Sequence, residues 1–181
     1  QPTLHRSSAR MVSPKLQDAL NAQINLELAS SYSYLAMAAY FDANSLPGMS
    51  SWMRVQSEEE RVHAMKIYDH MGDRGGQVVL QAIAAPDHEF ASPLAVFQSA
   101  LHHEQVVTRS INALYALAVV ENDYPAQVML QWFINEQVEE EKNAMTAIDQ
   151  LKMAAGNPSA ILMLDQLFGA RTAEPAGGET T

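Results

Sequence analysis

Four long stretches of this chain repeat apolar residues at steps of three and four, and in each the repeat is broken near its midpoint by a carboxylate. That spacing keeps side chains on one face of an α-helix, the face that has to be buried. The first stripe reads Leu16, Leu20, Ile24, Glu27, Ser31, Tyr34 and Leu35, and the second Met53, Gln56, Glu60, His63, Ile67 and Met71. The third reads Leu94, Phe97, Leu101, Glu104, Ile111, Tyr115 and Ala118, and the fourth Met129, Phe133, Gln137, Glu140, Ala144, Ile148 and Leu151. At 1.5 Å per residue each helix is roughly 45 Å long, and rods of equal length packed antiparallel bring their midpoints to one level. Glu27, Glu60, His63, Glu104, Gln137 and Glu140 are therefore expected to converge.

Local signals set the limits of these helices. Ser13-Pro14, Ser92-Pro93 and Asn157-Pro158 place a capping hydroxyl or amide before a proline at the first helical position, and Asp123-Tyr124-Pro125 does similar work. With stops at Asp42–Pro47, Gly72–Gly76, Glu121–Asp123, Gly156 and Gly169, the helices span about 13–43, 47–74, 93–121 and 124–155, with a short fifth near 158–168. Short turns make the first two helices antiparallel, and likewise the third and fourth. Between the pairs, Gly75 to Ala91 can extend roughly 50 Å, the length of the bundle. Val78, Val79, Leu80 and Ile83 make that segment apolar enough to lie along the helices, so a crossover is expected. The fold class is all-α: a four-helix bundle with a long crossover between helices two and three and a short fifth helix.

At 181 residues the chain is one domain. It has no cysteine, which removes disulfides, thiol nucleophiles, thiolate zinc sites and iron–sulfur clusters. Lys plus Arg number 11 against 21 Asp plus Glu, a net charge of −10 that repels nucleic acid and gathers cations. The longest apolar run, Ala113 to Val120, is too short to span a membrane. Residues 1–12, with Arg6, Arg10 and several hydroxyls but no acid, read as an extension: the remnant of a transit peptide or an added leader. The domain proper is 13–168, and 169–181 is expected to be a disordered tail.

Four ionised carboxylates in an apolar core cannot stand as they are, since desolvating each costs several kcal/mol and like charges add to it. Protonation relieves part of this, and two divalent cations cancel it. An oxygen-rich set with one imidazole suits iron or manganese better than copper or structural zinc. His63, three residues after Glu60, shares its face. A lone Glu-x-x-His does not single out a metal site, and the runs Glu58–Glu60 and Glu139–Glu141 taken alone read as solvated faces. Coincidence across four helices is what a solvated face does not explain. His102 and His103 lie off the stripe, and the methionines at helical spacing (Met49, Met53, Met65, Met71, Met145, Met153, Met163) read as core filler.

Taken together, Gln23-Ile-Asn-Leu-Glu27-Leu, Glu59-Glu60-Arg-Val-His63, Glu104-Gln105 and Gln131-Trp132-Phe-Ile-Asn-Glu136-Gln137-Val-Glu139-Glu140-Glu141-Lys142 resemble the ferritins, most closely the non-haem bacterial type, from Pro14 to Phe168. The resemblance implies a ferritin-like di-iron domain, assembled as a hollow homo-oligomer of 24 subunits that oxidises Fe²⁺ with O₂ or H₂O₂ and stores ferric mineral. It implies that Glu27, Glu60 and His63 hold a first iron. Glu60 would bridge to a second, held with Glu104 and Glu140 and with Gln137 close by. Glu59, Glu136, Glu139 and Glu140 resemble a third iron site, Tyr34 a tyrosine that supplies an electron, and Trp132 a nearby aromatic.

Departures from related patterns narrow this. Bacterioferritins carry a second Glu-x-x-His where this chain has Gln137-Val-Glu139-Glu140, and a haem-ligating methionine where it has Arg61, so no haem is expected. The acidic channel positions of animal ferritins are Gln127 and Leu130 here, which leaves the entry route open. Two alternatives are a DNA-protecting mini-ferritin, disfavoured by the fifth helix and the acidic charge, and a rubrerythrin-like peroxidase, disfavoured by the missing cysteines. Neither a nucleic acid nor a membrane partner is expected. Localisation is expected to be cytoplasmic in a bacterium, or in a plastid or other organelle if residues 1–10 are a transit remnant.

Overall fold

A computed structural model of the chain describes residues 11–173. Its helices are α1 (Pro14–Ala43), α2 (Pro47–Asp73), α3 (Pro93–Val120), α4 (Tyr124–Met153) and α5 (Pro158–Gly169), within two residues of the expected limits. Four of the five begin on a side-chain cap. Ser13, Ser92, Asp123 and Asn157 accept from the backbone N–H of Leu16, Ala95, Ala126 and Ala160 at 3.0–3.2 Å. Helix α2 follows Leu46, which has no capping side chain. Its orphan donors are satisfied from across the chain: Asp165 of α5 accepts from Gly48 N–H at 3.1 Å and Met49 N–H at 2.8 Å. A Cβ on Gly48 would lie 1.8 Å from the carbonyl oxygen of Asp165 and one on Gly169 would lie 2.9 Å from Gly48 Cα, so only glycine lets α5 approach this closely.

The bundle has two apolar ends separated by a polar layer. At the α5 end, Tyr34, Phe41, Met49, Trp52, Met53, Phe97, Ile148 and Phe168 form one core, with Phe97 edge-on to Trp52 and Phe168. At the opposite end, Leu16, Leu20, Ile24, Ile67, Met71, Ile111, Leu130 and Phe133 form the other. Each core takes one end of every long helix, which puts α1 and α2 antiparallel, α3 and α4 antiparallel, and α2 parallel to α3. The crossover makes that last relation possible. Asn21 on α1 grips its start, donating to Gln77 O and accepting from Val79 N–H at 2.9 Å each, and Phe90 near its end packs edge-on against Tyr40 of α1. From Asn21 to Tyr40 is roughly 28 Å of helix, so the segment travels most of the bundle. The α3–α4 turn uses Asn122 in the left-handed region (φ 52°).

Several side chains depart from the expected pattern. Leu35 is exposed beside buried Tyr34, because successive helical residues diverge by about 100° and only one can face the core. Of the methionines read as filler, Met49, Met53 and Met71 are buried, while Met65, Met145, Met153 and Met163 are exposed. Val79, Leu80 and Ile83 of the crossover face outward, and Val12, placed in the extension, is buried in the second core. Helix α5 reaches Gly169, and Arg171, placed in the tail, is held against α2. Of the expected extension (1–12) and tail (169–181), residues 1–10 and 174–181 lie outside the described residues. No helix among the described residues is long and apolar enough to cross a membrane.

Candidate metal centre

Between the two cores the four helices present Glu27, Glu60, His63, Glu104, Gln137 and Glu140, all buried. Each is placed by its own helix: the apolar residues a turn away on either side anchor the stripe, and the carboxylate between them has nowhere else to go. Three groups have ligand atoms within 4.8 Å of one another: Glu27 with Glu60 and His63, Glu60 with Glu104 and Glu140, and His63 with Glu136 and Glu140. Glu60 belongs to two of these and His63 to two, so they form one continuous cluster.

Amides and hydroxyls hold this layer. Gln23 Nε2 donates to Glu27 Oε1 at 3.0 Å, and Gln56 Nε2 donates to Glu60 Oε1 at 3.1 Å and Glu140 Oε2 at 2.6 Å. Gln137 Nε2 donates to Glu104 Oε2 at 3.1 Å, and the Tyr34 hydroxyl donates to Glu104 Oε1. The imidazole of His63 lies between two carboxylates, with Nδ1 3.6 Å from Glu60 and Nε2 3.7 Å from Glu136. Trp132 and Phe133 present their rings edge-on to it, and the ammonium of Lys66 covers Trp132.

Electrostatically the layer is under strain. Burial first, then the neighbouring carboxylates Glu104, Glu27 and Glu140, raise Glu60 well above the usual carboxylate range. Glu140 is raised by burial and by Glu104, partly offset by His63 and Gln56. Glu104 is raised by burial despite its hydrogen bonds from Tyr34 and Gln137. Burial would lower His63, but Glu136, Glu27 and Glu140 outweigh it and lift the imidazole to about 9. Burial first, then the carboxylates Glu104, Glu60 and Glu140, push the Tyr34 phenol up. Among the described residues no lysine or arginine forms an ion pair with Glu27, Glu60, Glu104 or Glu140. Glu27 Oε2, Glu60 Oε2, His63 Nδ1 and Gln137 Oε1 have no hydrogen-bond partner. A buried set with one unused atom on each of several ligand-type side chains fits divalent metal, which supplies the missing charge and the missing contacts at once.

The structure gathers the expected site residues unevenly. Glu27, Glu60, His63, Glu104 and Glu140 come together, with Gln137 and Tyr34 against Glu104. Of the residues expected around a third iron, Glu136 and Glu140 meet at His63, Glu59 pairs with Arg171 at 2.7 Å, and Glu139 is exposed. Those four supply no group of three with ligand atoms within 4.8 Å among the described residues. The sequence reading gave no role to Gln23 or Gln56. Both precede a layer glutamate by four residues, one turn along the same face, and that repeated Gln-x-x-x-Glu spacing on α1 and α2 was a usable signal.

Comparison with known proteins gives a consistent result. The family model of the ferritin-like domain matches residues 17–154. The bacterial non-heme ferritin of Staphylococcus aureus (strain USA300) is 39% identical over 162 residues, covering 90% of this chain and 98% of that protein. The bacterial non-heme ferritin of Staphylococcus saprophyticus is 40% identical over 162 residues, covering 90% and 97%. Among solved structures, an open pore ferritin from the archaeon Archaeoglobus fulgidus superimposes with a TM-score of 0.88 at 44% identity, covering 89% of this chain and 99% of that one. With solved ferritins superimposing over about nine-tenths of it and a family match spanning most of its length, the chain belongs to the ferritin family.

Proposed function

We propose that the chain is a ferroxidase subunit of an iron-storage assembly: the central layer binds two Fe²⁺ as substrate, passes their electrons to O₂ or peroxide, and releases ferric iron for storage as mineral inside a hollow homo-oligomer of 24 copies. The observation that carries this reading is the convergence of four buried carboxylates and an imidazole with no lysine or arginine among the described residues paired to those carboxylates. Glu27, Glu60 and His63 Nδ1 would hold one iron, Glu60, Glu104 and Glu140 the other, with Glu60 shared. No porphyrin ligand is part of this reading.

The residues divide the work. Gln23 and Gln137 each hold one oxygen of a layer carboxylate and Gln56 holds one on each of two, so the atoms left over are fixed in place before metal arrives. Negative charge favours Fe³⁺ over Fe²⁺ and so favours electron release. Two Fe²⁺ give two electrons, which with one O₂ and two protons make H₂O₂. A second pair reduces that peroxide, with two more protons, to two waters. Tyr34 can supply one of these electrons in place of an Fe²⁺, its phenolic proton passing to Glu104 Oε1 and the phenoxyl being reduced again by a later Fe²⁺. Glu136, beside His63 Nε2, orients the ring so that Nε2 keeps its proton toward that carboxylate, while Nδ1 gives up its own proton to solvent and becomes the nitrogen that would face metal. Filling a third site from Glu59, Glu136, Glu139 and Glu140 requires Glu59 to leave Arg171 and Glu139 to turn inward.

Exposed Leu162, Met163 and Leu167 on α5 and Met153 at the end of α4 form an apolar face suited to neighbouring copies. Adding Fe²⁺ in air at two per subunit is expected to give a fast rise in ferric absorbance that slows by roughly 100-fold or more in Glu60→Ala. Equal rates in the two proteins would refute the assigned centre. Light scattering is expected to report a particle of about 24 subunits; a monomer at micromolar concentration would refute the cage.

A further inference from the structure

The last described turn of chain reaches the metal centre. Arg171 lies just beyond α5, yet its guanidinium stacks over Trp52 at 4.3 Å, donates to Gln56 Oε1 at 2.9 Å, and donates to Glu59 Oε2 at 2.7 Å. Trp52, Gln56 and Glu59 stand on successive turns of one face of α2, so a single planar fork contacts all three. The approach is rigid. Asp165 caps α2, Gly169 packs against Gly48, and both sit within six residues of Arg171.

We propose that Arg171 is a positioning residue of the metal centre: by holding the amide of Gln56 in one orientation, it decides which oxygens of Glu60 and Glu140 are left for metal. Gln56 is fully buried and has two ends with opposite chemistry. Its carbonyl oxygen accepts from Arg171, and its NH₂ donates to Glu60 Oε1 and Glu140 Oε2. Turning the amide over would set an oxygen against two carboxylates and an NH₂ against a guanidinium, making three attractive contacts repulsive. Arg171 therefore locks the donor toward the layer. The donor in turn occupies Glu60 Oε1, while Glu60 Oε2, which has no hydrogen-bond partner, remains free for a ligand. Glu59 balances the guanidinium's charge, so a fixed cation can stand beside the centre without repelling incoming metal.

This rests on the reading of Glu60 and Glu140 as metal ligands, and the test separates the two. Co²⁺, which reports its coordination through visible absorption and does not turn over under these conditions, is titrated by calorimetry and spectroscopy into the assembled wild-type protein, Arg171→Gln, Arg171→Lys, Gln56→Ala and the Arg171→Gln/Gln56→Ala double variant. Arg171→Gln is expected to bind Co²⁺ about tenfold more weakly, with shifted visible bands. The double variant is expected to be no weaker than Gln56→Ala alone, because one residue acts through the other. Arg171→Lys keeps a charge for Glu59 but not a fork that also holds Gln56, so its spectrum should follow Arg171→Gln, and it carries the test should that variant not fold. Wild-type affinity and spectrum in both Arg171 variants would overturn the proposal, as would additive losses in the double variant. A wild-type protein that binds no Co²⁺ at two per subunit would instead sink the metal-centre reading itself.

Discussion

At the α3–α4 turn, half-buried Asp123 faces the guanidinium of Arg74 through two hydrogen bonds of 2.8 and 3.0 Å while capping α4. Half a bundle away, Glu60, Glu104 and Glu140 are buried against one another, and their polar partners among the described residues are amides, a phenol and one imidazole. The same functional group is drawn away from water in both places, partly at Asp123 and fully in the layer, and its ionisation moves in opposite directions. Asp123 is lowered: burial works against it, but the hydrogen bonds and charge of Arg74 and the bond from Ala126 prevail. Glu60, Glu104 and Glu140 are raised, burial being the largest cause for each. A carboxylate with its own arginine is a finished structural joint. One left with amides, a phenol and an imidazole is, in the function proposed above, open to a cation from outside.

Adding a divalent ion tests that contrast most severely. With Zn²⁺ at a thousand times its dissociation constant, the thermal midpoint should rise by the equivalent of about 4 kcal/mol per site, measured calorimetrically at fixed protein concentration. Asp123→Ala should leave the metal-induced increment unchanged while lowering baseline stability by about 2–3 kcal/mol, through loss of a helix cap and a charged hydrogen-bonded pair. Glu60→Gln reverses the sign. In the metal-free protein at pH 7 it should stabilise by about 1–2 kcal/mol, since an amide mimics the protonated acid without its desolvation penalty, and it should abolish most of the Zn²⁺ increment. A loss of metal-free stability in Glu60→Gln would break the comparison.

The pH dependence is the smallest effect and follows the same division. Glu60, Glu104, Glu140 and His63 hold protons more tightly folded than unfolded, so their contribution is complete below the ordinary carboxylate range. It is lost as pH rises from about 4.5 through the imidazole's value of about 9. Asp123 holds its proton less tightly when folded, so its contribution is present above 3.8 and lost as pH falls below it. Metal-free thermal midpoints should therefore decline from pH 5 to pH 9 in the wild type and decline less in Glu60→Gln. Asp123→Asn should alter only the acid limb.

Much of the layer could be read from residue spacing. Glu27, Glu60, Glu104 and Glu140 each interrupt an apolar stripe, and all four arrive in the dry interior. What spacing missed were residues acting across the fold. Gln56 stood on the α2 stripe as one more polar residue, because nothing local shows that its amide spans Glu60, Glu140 and Arg171. Arg171 was assigned to a tail because the residues that follow it carry no apolar side chain larger than alanine, although its own contacts lie 112 and 115 residues away. Glu59 and Glu139 show the same limit: both belong to acidic runs, but one is engaged by Arg171 and the other faces solvent.

The sequence by itself determined where the helices start and stop, how they pair, and that each carries an acid on its buried face. Capping bonds and the 3.6-residue period act over three or four residues, so they are written locally. Only the tertiary structure decided which oxygen of each acid is already engaged, which is left open, and that the end of α5 returns to the layer. Those outcomes depend on how whole helices dock, as when two glycines let α5 settle on α2, and a contact made by docking has no local period to announce it.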